Sequence, residues 1–258
     1  MYGRHRNGEG IDPATGTGTV ISSDGRIYRI GPMANLSFTR LNGAQLAGAD
    51  LTGADLERAK LSDSDLERAN LTGAKLEKAG LKKANLAYSN LERANLEGAN
   101  LQQANLKGAR LVGAVLIKTN LRDVVLERAR LGWANLTGAD LQFADLRDAD
   151  LERANLAGAD LYHADFKKAF LVGADLSGAF LVGADLTGAN LTGADLRGAN
   201  LTCTDLTGAD LDGAYLDGAR LSCTTMPDGA TMPEGTIYSG RVPNPGQGTR
   251  RGPGGYKY

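Results

Sequence analysis

From Leu36 to Leu221 every fifth residue is leucine, with Phe166 the one exception, and Met226 continues the series one step later. The frame runs through 38 consecutive positions without insertion or deletion. Two residues before each member stands a small residue, usually alanine (Ala44, Ala49, Ala54), replaced at Thr39, Ser64, Ser89, Thr119, Val124 and Thr204. The position between the two is most often Asp or Asn. A helix places apolar residues three and four apart, and a strand places them two apart. Read as one helix, the run would scatter its leucines around the axis and bury many helix-weakening glycines.

A chain that turns a corner every five residues satisfies the pattern. Leucine and the small residue before it point inward, and the other three positions meet water. Four sides close a coil of 20 residues, and stacked coils pair as short parallel strands about 4.8 Å apart. Leu51, Leu71, Leu91, Leu111, Leu131, Leu151, Phe166, Leu191 and Leu211 mark the expected inner ladder. Each buried leucine contributes roughly 1.5–3 kcal/mol of transfer free energy. A residue larger than alanine two places earlier overpacks the lumen, so a local bulge is expected at Val124. Each corner reads Leu-x-x-Ala, and a type II turn wants glycine at its second central residue. Glycine stands there at 18 of 38 corners and at nine of the last eleven, which predicts type II corners beyond Leu171 and more open ones in the Arg- and Lys-rich first half.

This run resembles the pentapeptide-repeat family, whose motif A(D/N)LXX is seen in Ala49-Asp50-Leu51-Thr52-Gly53 and covers about three quarters of the chain. The resemblance implies an all-β fold, a right-handed quadrilateral parallel β-helix. At 20 residues per coil it would hold about nine and a half coils and be roughly 45 Å long at sheet spacing.

The flanks divide the chain further. Residues 1–18 are expected to be a flexible arm, and 19–33 a hairpin serving as cap or docking segment, with Ser23-Asp24-Gly25 as its turn. The β-helix would fill 34–225. Residues 226–240 carry two turn signals, Met226-Pro227-Asp228-Gly229 and Met232-Pro233-Glu234-Gly235, after which Ile237 and Tyr238 are expected to close the lumen. Residues 241–258 form a basic Gly/Pro-rich tail with Arg250, Arg251, Tyr256 and Tyr258.

The residues offer no catalytic constellation, no metal set and no cofactor motif. His163 falls on an outward corner one coil above Phe143. The repeated Asp and Asn residues fit backbone capping at the corners. Cys203 and Cys223 stack one coil apart, within the range a disulfide allows. With only two cysteines and no apolar leader or membrane-length segment, a reducing cytoplasmic setting, or a particle assembled there, is expected, with both thiols free.

Charge separates along the chain. Residues 36–130 carry a net of +4 and residues 131–215 a net of −8, within a total of −1. Glu-Arg and Glu-Lys neighbours (57/58, 67/68, 77/78, 92/93, 127/128, 152/153) are expected as solvated pairs worth ~0–1 kcal/mol each. Val115, Ile117, Val125, Phe170 and Phe180 stand where polar residues are the rule. Trp133 and Phe143 take corner places, and Tyr162 and Val182 share a column. Such residues mark contacts with partners, which makes the stretch from Trp133 to Val182 a candidate partner face.

Two functions follow. The first is a non-enzymatic structural or protein-binding rod that docks by cap and tails onto an oligomer or larger assembly, such as a virion. It would have no membrane, no small-molecule substrate and no direct nucleic-acid contact. The second is the DNA mimicry that the resemblance implies, since some family members bind type II topoisomerases and confer quinolone resistance. Against it, the lumen here is uniformly leucine where those relatives are rich in phenylalanine.

Overall fold

The computed structural model describes residues 10–22, 25–229, 231, 232 and 234–238. The first nine residues of the arm, two turn residues of the hairpin, and residues 239–258 with Arg250, Arg251, Tyr256 and Tyr258 lie outside the described residues.

Three short strands precede the repeat: β1 (Gly10–Ile11), β2 (Gly18–Ile21) and β3 (Ile27–Ile30), antiparallel in the order β1-β2-β3. The hairpin pairs Thr19 with Arg29 and Val20 with Tyr28, as its alternation predicts. The arm needs correcting, because residues 10 and 11 form a strand against β2. The Gly16 carbonyl accepts the Asp50 N–H at 2.7 Å, and Val20 and Ile30 are buried in the same core as Leu36.

From Asn35 to Asp205 each residue that precedes an inner ladder residue bridges in parallel to the residue 20 further on. The coil therefore has four sides. Side one holds the column beginning Asn35, Asp55, Lys75; side two Arg40, Lys60, Gly80; side three Gln45, Asp65, Asn85; side four Asp50, Asn70, Asn90. All the named ladder residues, Phe166 included, are at most 4% exposed.

The repeat is explained by where its five amides go. The Leu56 N–H donates to the Lys75 carbonyl of the next coil at 2.7 Å. Arg58 donates to Glu77 at 2.9 Å, and Lys75 reaches back to Ala54 at 2.9 Å. Ala59 closes the corner on the Leu56 carbonyl at 3.0 Å. The fifth amide, just after leucine, is taken by the Asp or Asn side chain two residues earlier: Glu57 N–H donates to Asp55 Oδ1 at 3.0 Å. An unpaired buried amide costs as much as a lost hydrogen bond, which accounts for Asp and Asn at that place.

The polar replacements among the small inner residues are equally satisfied. Ser64 and Ser89 donate to the carbonyls of Leu61 and Leu86 at 2.7 Å, while Thr119 and Thr204 reach Leu96 and Leu181 in the preceding coil at 2.9 and 2.7 Å. No bulge surrounds Val124. The bridges Asn105–Val125–Asp145 keep their register, and the extra methyls are absorbed by longer bonds, 3.2 Å from Val124 N–H to Leu121 and 3.1 Å from Val125 N–H to Ala104.

The expected contrast between corners also needs correcting. The second central residue has a positive φ at every corner from Phe38 to Cys223, whether glycine or not. Arg58 (φ 53), Lys83 (φ 60) and Trp133 (φ 61) match Gly53 (φ 63). The stacked ladders impose the left-handed conformation, and the 20 non-glycine residues accept it at roughly 1–2 kcal/mol each.

Past the last parallel bridge the chain reverses. Thr225 pairs antiparallel with Thr231, and Arg220 with Ile237. Met226, Met232 and Tyr238 are buried, but Ile237 is 64% exposed. Of the two residues expected to close the lumen, alternation along this segment turns only Tyr238 inward.

Candidate functional site

The register sorts the candidate partner residues onto different sides. Ten residues are two sides of the square, so Phe170 on side four and Phe180 on side two point in opposite directions. The stretch from Trp133 to Val182 is two surfaces.

On side four, Phe170 and Val172 line an open hollow of about 560 Å³ with Arg128, Arg130, Asp148, Asp150 and Glu152. Trp133, at the corner beyond, is 61% exposed and lies under the Arg153 guanidinium, 4.8 Å from its ring centroid. Here every apolar group has charged neighbours.

On side two, Phe143, Tyr162 and His163 form one aromatic cluster. Phe143 meets Tyr162 edge-on at 5.6 Å and stacks on His163 at 5.8 Å with the planes 8° apart, as their shared column predicts. Tyr162 and His163 meet edge-on at 4.2 Å. Gly183 makes room for the cluster, since a Cβ there would lie 2.5 Å from His163 Cε1. Phe180 and Val182 continue the surface upward, and with Tyr162, Gln142 and Asp160 they line a shallow hollow of about 360 Å³. Asp160 is held in place, accepting from the Tyr162 N–H at 3.1 Å and from Gln142 Nε2 at 2.7 Å.

Between sides three and four the charges run as a ladder along the rod. Lys107 Nζ meets Glu127 at 2.8 Å, Arg147 meets Asp145 at 2.6 Å, and Lys167 bridges Asp165 and Asp185 at 3.3 and 2.5 Å. The Lys107 hydrogen bond holds the Glu127 carboxyl below its ordinary range, and that of Arg147 does the same for Asp145. Burial pushes Asp185 up, but hydrogen bonds from Lys167 and Thr187 together outweigh it and leave the group lowered. The strong pairs thus join successive coils or flank one residue. The adjacent Glu-Arg neighbours are looser, 3.6 to 3.8 Å at 57/58, 67/68, 127/128 and 152/153. Glu77 turns to Asn95 and Glu92 to Arg110.

Cys203 and Cys223, expected as free thiols, are joined in a disulfide with their Cα atoms 4.6 Å apart. Both occupy the left-handed corner position of one column, which turns the two side chains toward each other. Among the described residues no group of three or more His, Cys, Asp or Glu could hold a metal ion, and no helix is long and apolar enough to cross a membrane.

Sequence reasoning missed a third apolar group beside the N-terminal sheet: Ile21, Ile27, Met33 and Phe38 are all exposed. Arg58 lies 5.5 Å from the centroid of Phe38. The signal was present in the column spacing, since Phe38 and Arg58 are one coil apart.

The family model described as pentapeptide repeats matches eight copies between residues 34 and 226. No curated protein matches the chain. Among solved structures, HetL of the cyanobacterium Nostoc sp. strain PCC 7120, a pentapeptide repeat protein involved in heterocyst differentiation regulation, is 34% identical over 78% of this chain and 90% of its own, with a TM-score of 0.29. QnrB1, a plasmid-mediated fluoroquinolone resistance protein, is 21% identical over 69% of this chain and 92% of its own, with a TM-score of 0.33. A pentapeptide repeat protein of the Arabidopsis thaliana thylakoid lumen is 28% identical over 45% of this chain and 71% of its own, with a TM-score of 0.22. The matched repeats and the bridges at a spacing of 20 residues agree: this chain belongs to the pentapeptide-repeat family.

Proposed function

We propose that the chain is a non-enzymatic, protein-binding rod: a right-handed β-helix of about nine and a half coils that presents side two to a protein partner within a larger assembly. The observation that carries this reading is the aromatic cluster of Phe143, Tyr162 and His163 with exposed Phe180 and half-buried Val182 above it, on a backbone hydrogen-bonded coil to coil. The Asp and Asn side chains that would be candidates for chemistry are engaged in capping corner amides, as Asp145, Asp160 and Asp185 are. A rigid aromatic surface gives contact area at little entropic cost. The three-stranded sheet supports a capping role, since it supplies an acceptor to Asp50 and buries Val20 and Ile30 against the first coil.

The test is site-specific photocrosslinking in the native host from position 182, with position 157 on another side as control. A discrete adduct from 182 that is lost in Tyr162→Ser and Phe180→Ser variants is the expected result. Equal yields from both positions would discard the reading.

The acid-rich stretch 131–215 favours a second reading, DNA mimicry toward a type II topoisomerase. In the ladder, however, its carboxylates are paired with lysine and arginine. A gyrase supercoiling assay separates the two, because potent inhibition by the isolated protein would reverse the ranking.

A further inference from the structure

The chain leaves the described rod at the end of side two, on the edge away from Phe143 and His163. Leu221 N–H donates to the Thr236 carbonyl, and Tyr238 N–H to Ala219, so residues 236–238 lie as an antiparallel rung on the end of side two. The Gly218 N–H holds the Tyr238 carbonyl at 2.8 Å, which sets the exit at the edge of that side. Phe180 is three rungs below Tyr238 and Asp160 four, about 14 and 19 Å at strand spacing. Twenty residues follow Tyr238. At about 3.3 Å per residue they span up to about 66 Å, well beyond either distance.

Two observations say what chemistry side two lacks. Elsewhere three rings lie under an arginine of the next or preceding coil, Phe38 under Arg58, Trp133 under Arg153 and Tyr215 under Arg197, although among the described residues exposed Tyr88 and Phe170 have none. Among the described residues, no cation lies over Phe143, Tyr162 or Phe180. The four rungs 139–143, 159–163, 179–183 and 199–203 contain no Lys or Arg; Asp140 is met at 3.5 Å by Arg122 of the rung below, and Asp160 stands among them without an arginine or lysine pair in the described residues. The segment beyond Tyr238 carries Arg241, Arg250, Arg251 and Lys257, with tyrosines at 256 and 258.

We infer that residues 241–258 bind in cis along side two of their own rod, placing arginines over its rings and against Asp160. The tail then covers the surface proposed above for a partner, and a partner would have to displace it. The inference rests on side two being a recognition surface, but its test needs no partner.

Full-length protein is digested with limiting trypsin, and cleavage after Arg250 and Arg251 is timed by mass spectrometry against a synthetic peptide of residues 241–258. Cleavage in the intact chain is expected to be at least fivefold slower than in the peptide. Protection should be lost in Asp160→Asn and Phe180→Ser variants and in 0.5 M salt. Asp160→Asn keeps the acceptor for the Tyr162 amide, so unchanged thermal melting accompanies the loss of protection. Because cis binding is independent of concentration, protection should be equal at about 1 and 100 µM. Cleavage as fast as the peptide's overturns the inference, and protection that grows with concentration overturns it by giving the tail to a second copy. Protection without any crosslinked partner leaves this inference standing while the function proposed above fails.

Discussion

The side-chain oxygen of Asn155 accepts the backbone N–H of Ala157 at 2.9 Å, two residues away. This bond recurs wherever Asp or Asn precedes the inner leucine, and it serves the one amide of the repeat that no backbone carbonyl accepts. Asn155→Ala is therefore expected to cost about 1 kcal/mol, and Asn155→Asp much less. Chemical denaturation of the two variants measures the difference, and equal midpoints would remove capping as the reason for Asp and Asn at this place.

Corner residues supply a second prediction. Lys168 has φ 58, a conformation that side chains other than glycine enter at a cost. Lys168→Gly should stabilise by a few tenths to about 1 kcal/mol, and Lys168→Val should destabilise by about 1–2 kcal/mol. Gly193 and Gly183 form a matched pair, with φ 65 and 68. A Cβ at Gly193 meets nothing within 4 Å, whereas one at Gly183 meets the His163 ring. Gly183→Ala should thus cost more than Gly193→Ala and should move the His163 ring resonances in an NMR spectrum.

The charge ladder predicts how stability depends on pH. Glu127, Asp145, Asp185 and Asp195 are all held below their ordinary range in the folded rod. Their contribution is full above the unfolded values of about 4 and is lost as pH falls through the lowered folded ones. The melting midpoint should stay level between about pH 5 and 8 and drop in more acid solution. An Arg147→Gln variant, which frees Asp145, should start from a lower plateau and fall less steeply. Superimposable acid profiles would show that the ladder contributes nothing.

The Cys203–Cys223 bridge closes a sequence separation of 20 residues. On a chain-entropy account such a loop contributes about 3 kcal/mol. A reductant, or a Cys203→Ser variant, should lower the denaturation midpoint accordingly, and unreduced unfolded protein should show no titratable thiol. Two titratable thiols would restore the expectation read from the sequence.

The interior was legible because its rule is simple. Leu51, Leu71 and the rest face inward because leucine and the small residue two places before it are all that the repeat keeps apolar at a fixed spacing, and the 20-residue register follows from four equal sides. The hairpin Thr19–Ile30 was legible from its alternation. The corners were misread because glycine was taken as the sign of the left-handed turn. The better sign is that no Val, Ile or Thr occupies the second corner place between Phe38 and Cys223, while Val112, Ile117, Val172 and Val182 occupy the first. Strand β1 has two residues and leaves no periodic trace. The cysteines were judged by compartment, when their shared column already set the distance. The split of Phe170 from Phe180 was there to be counted, since ten residues are half a circuit.

Equal sides also mean that the lumen cannot tell one quarter-turn from another. An inserted pentapeptide would slip into the leucine ladder unnoticed, yet swing everything downstream through ninety degrees and part Phe143 from Phe180. An inserted block of twenty would lengthen the shaft by one rung and leave every outward column aligned. Growth of such a chain is thus graded from inside in fives, but any surface that spans several coils survives only growth in twenties.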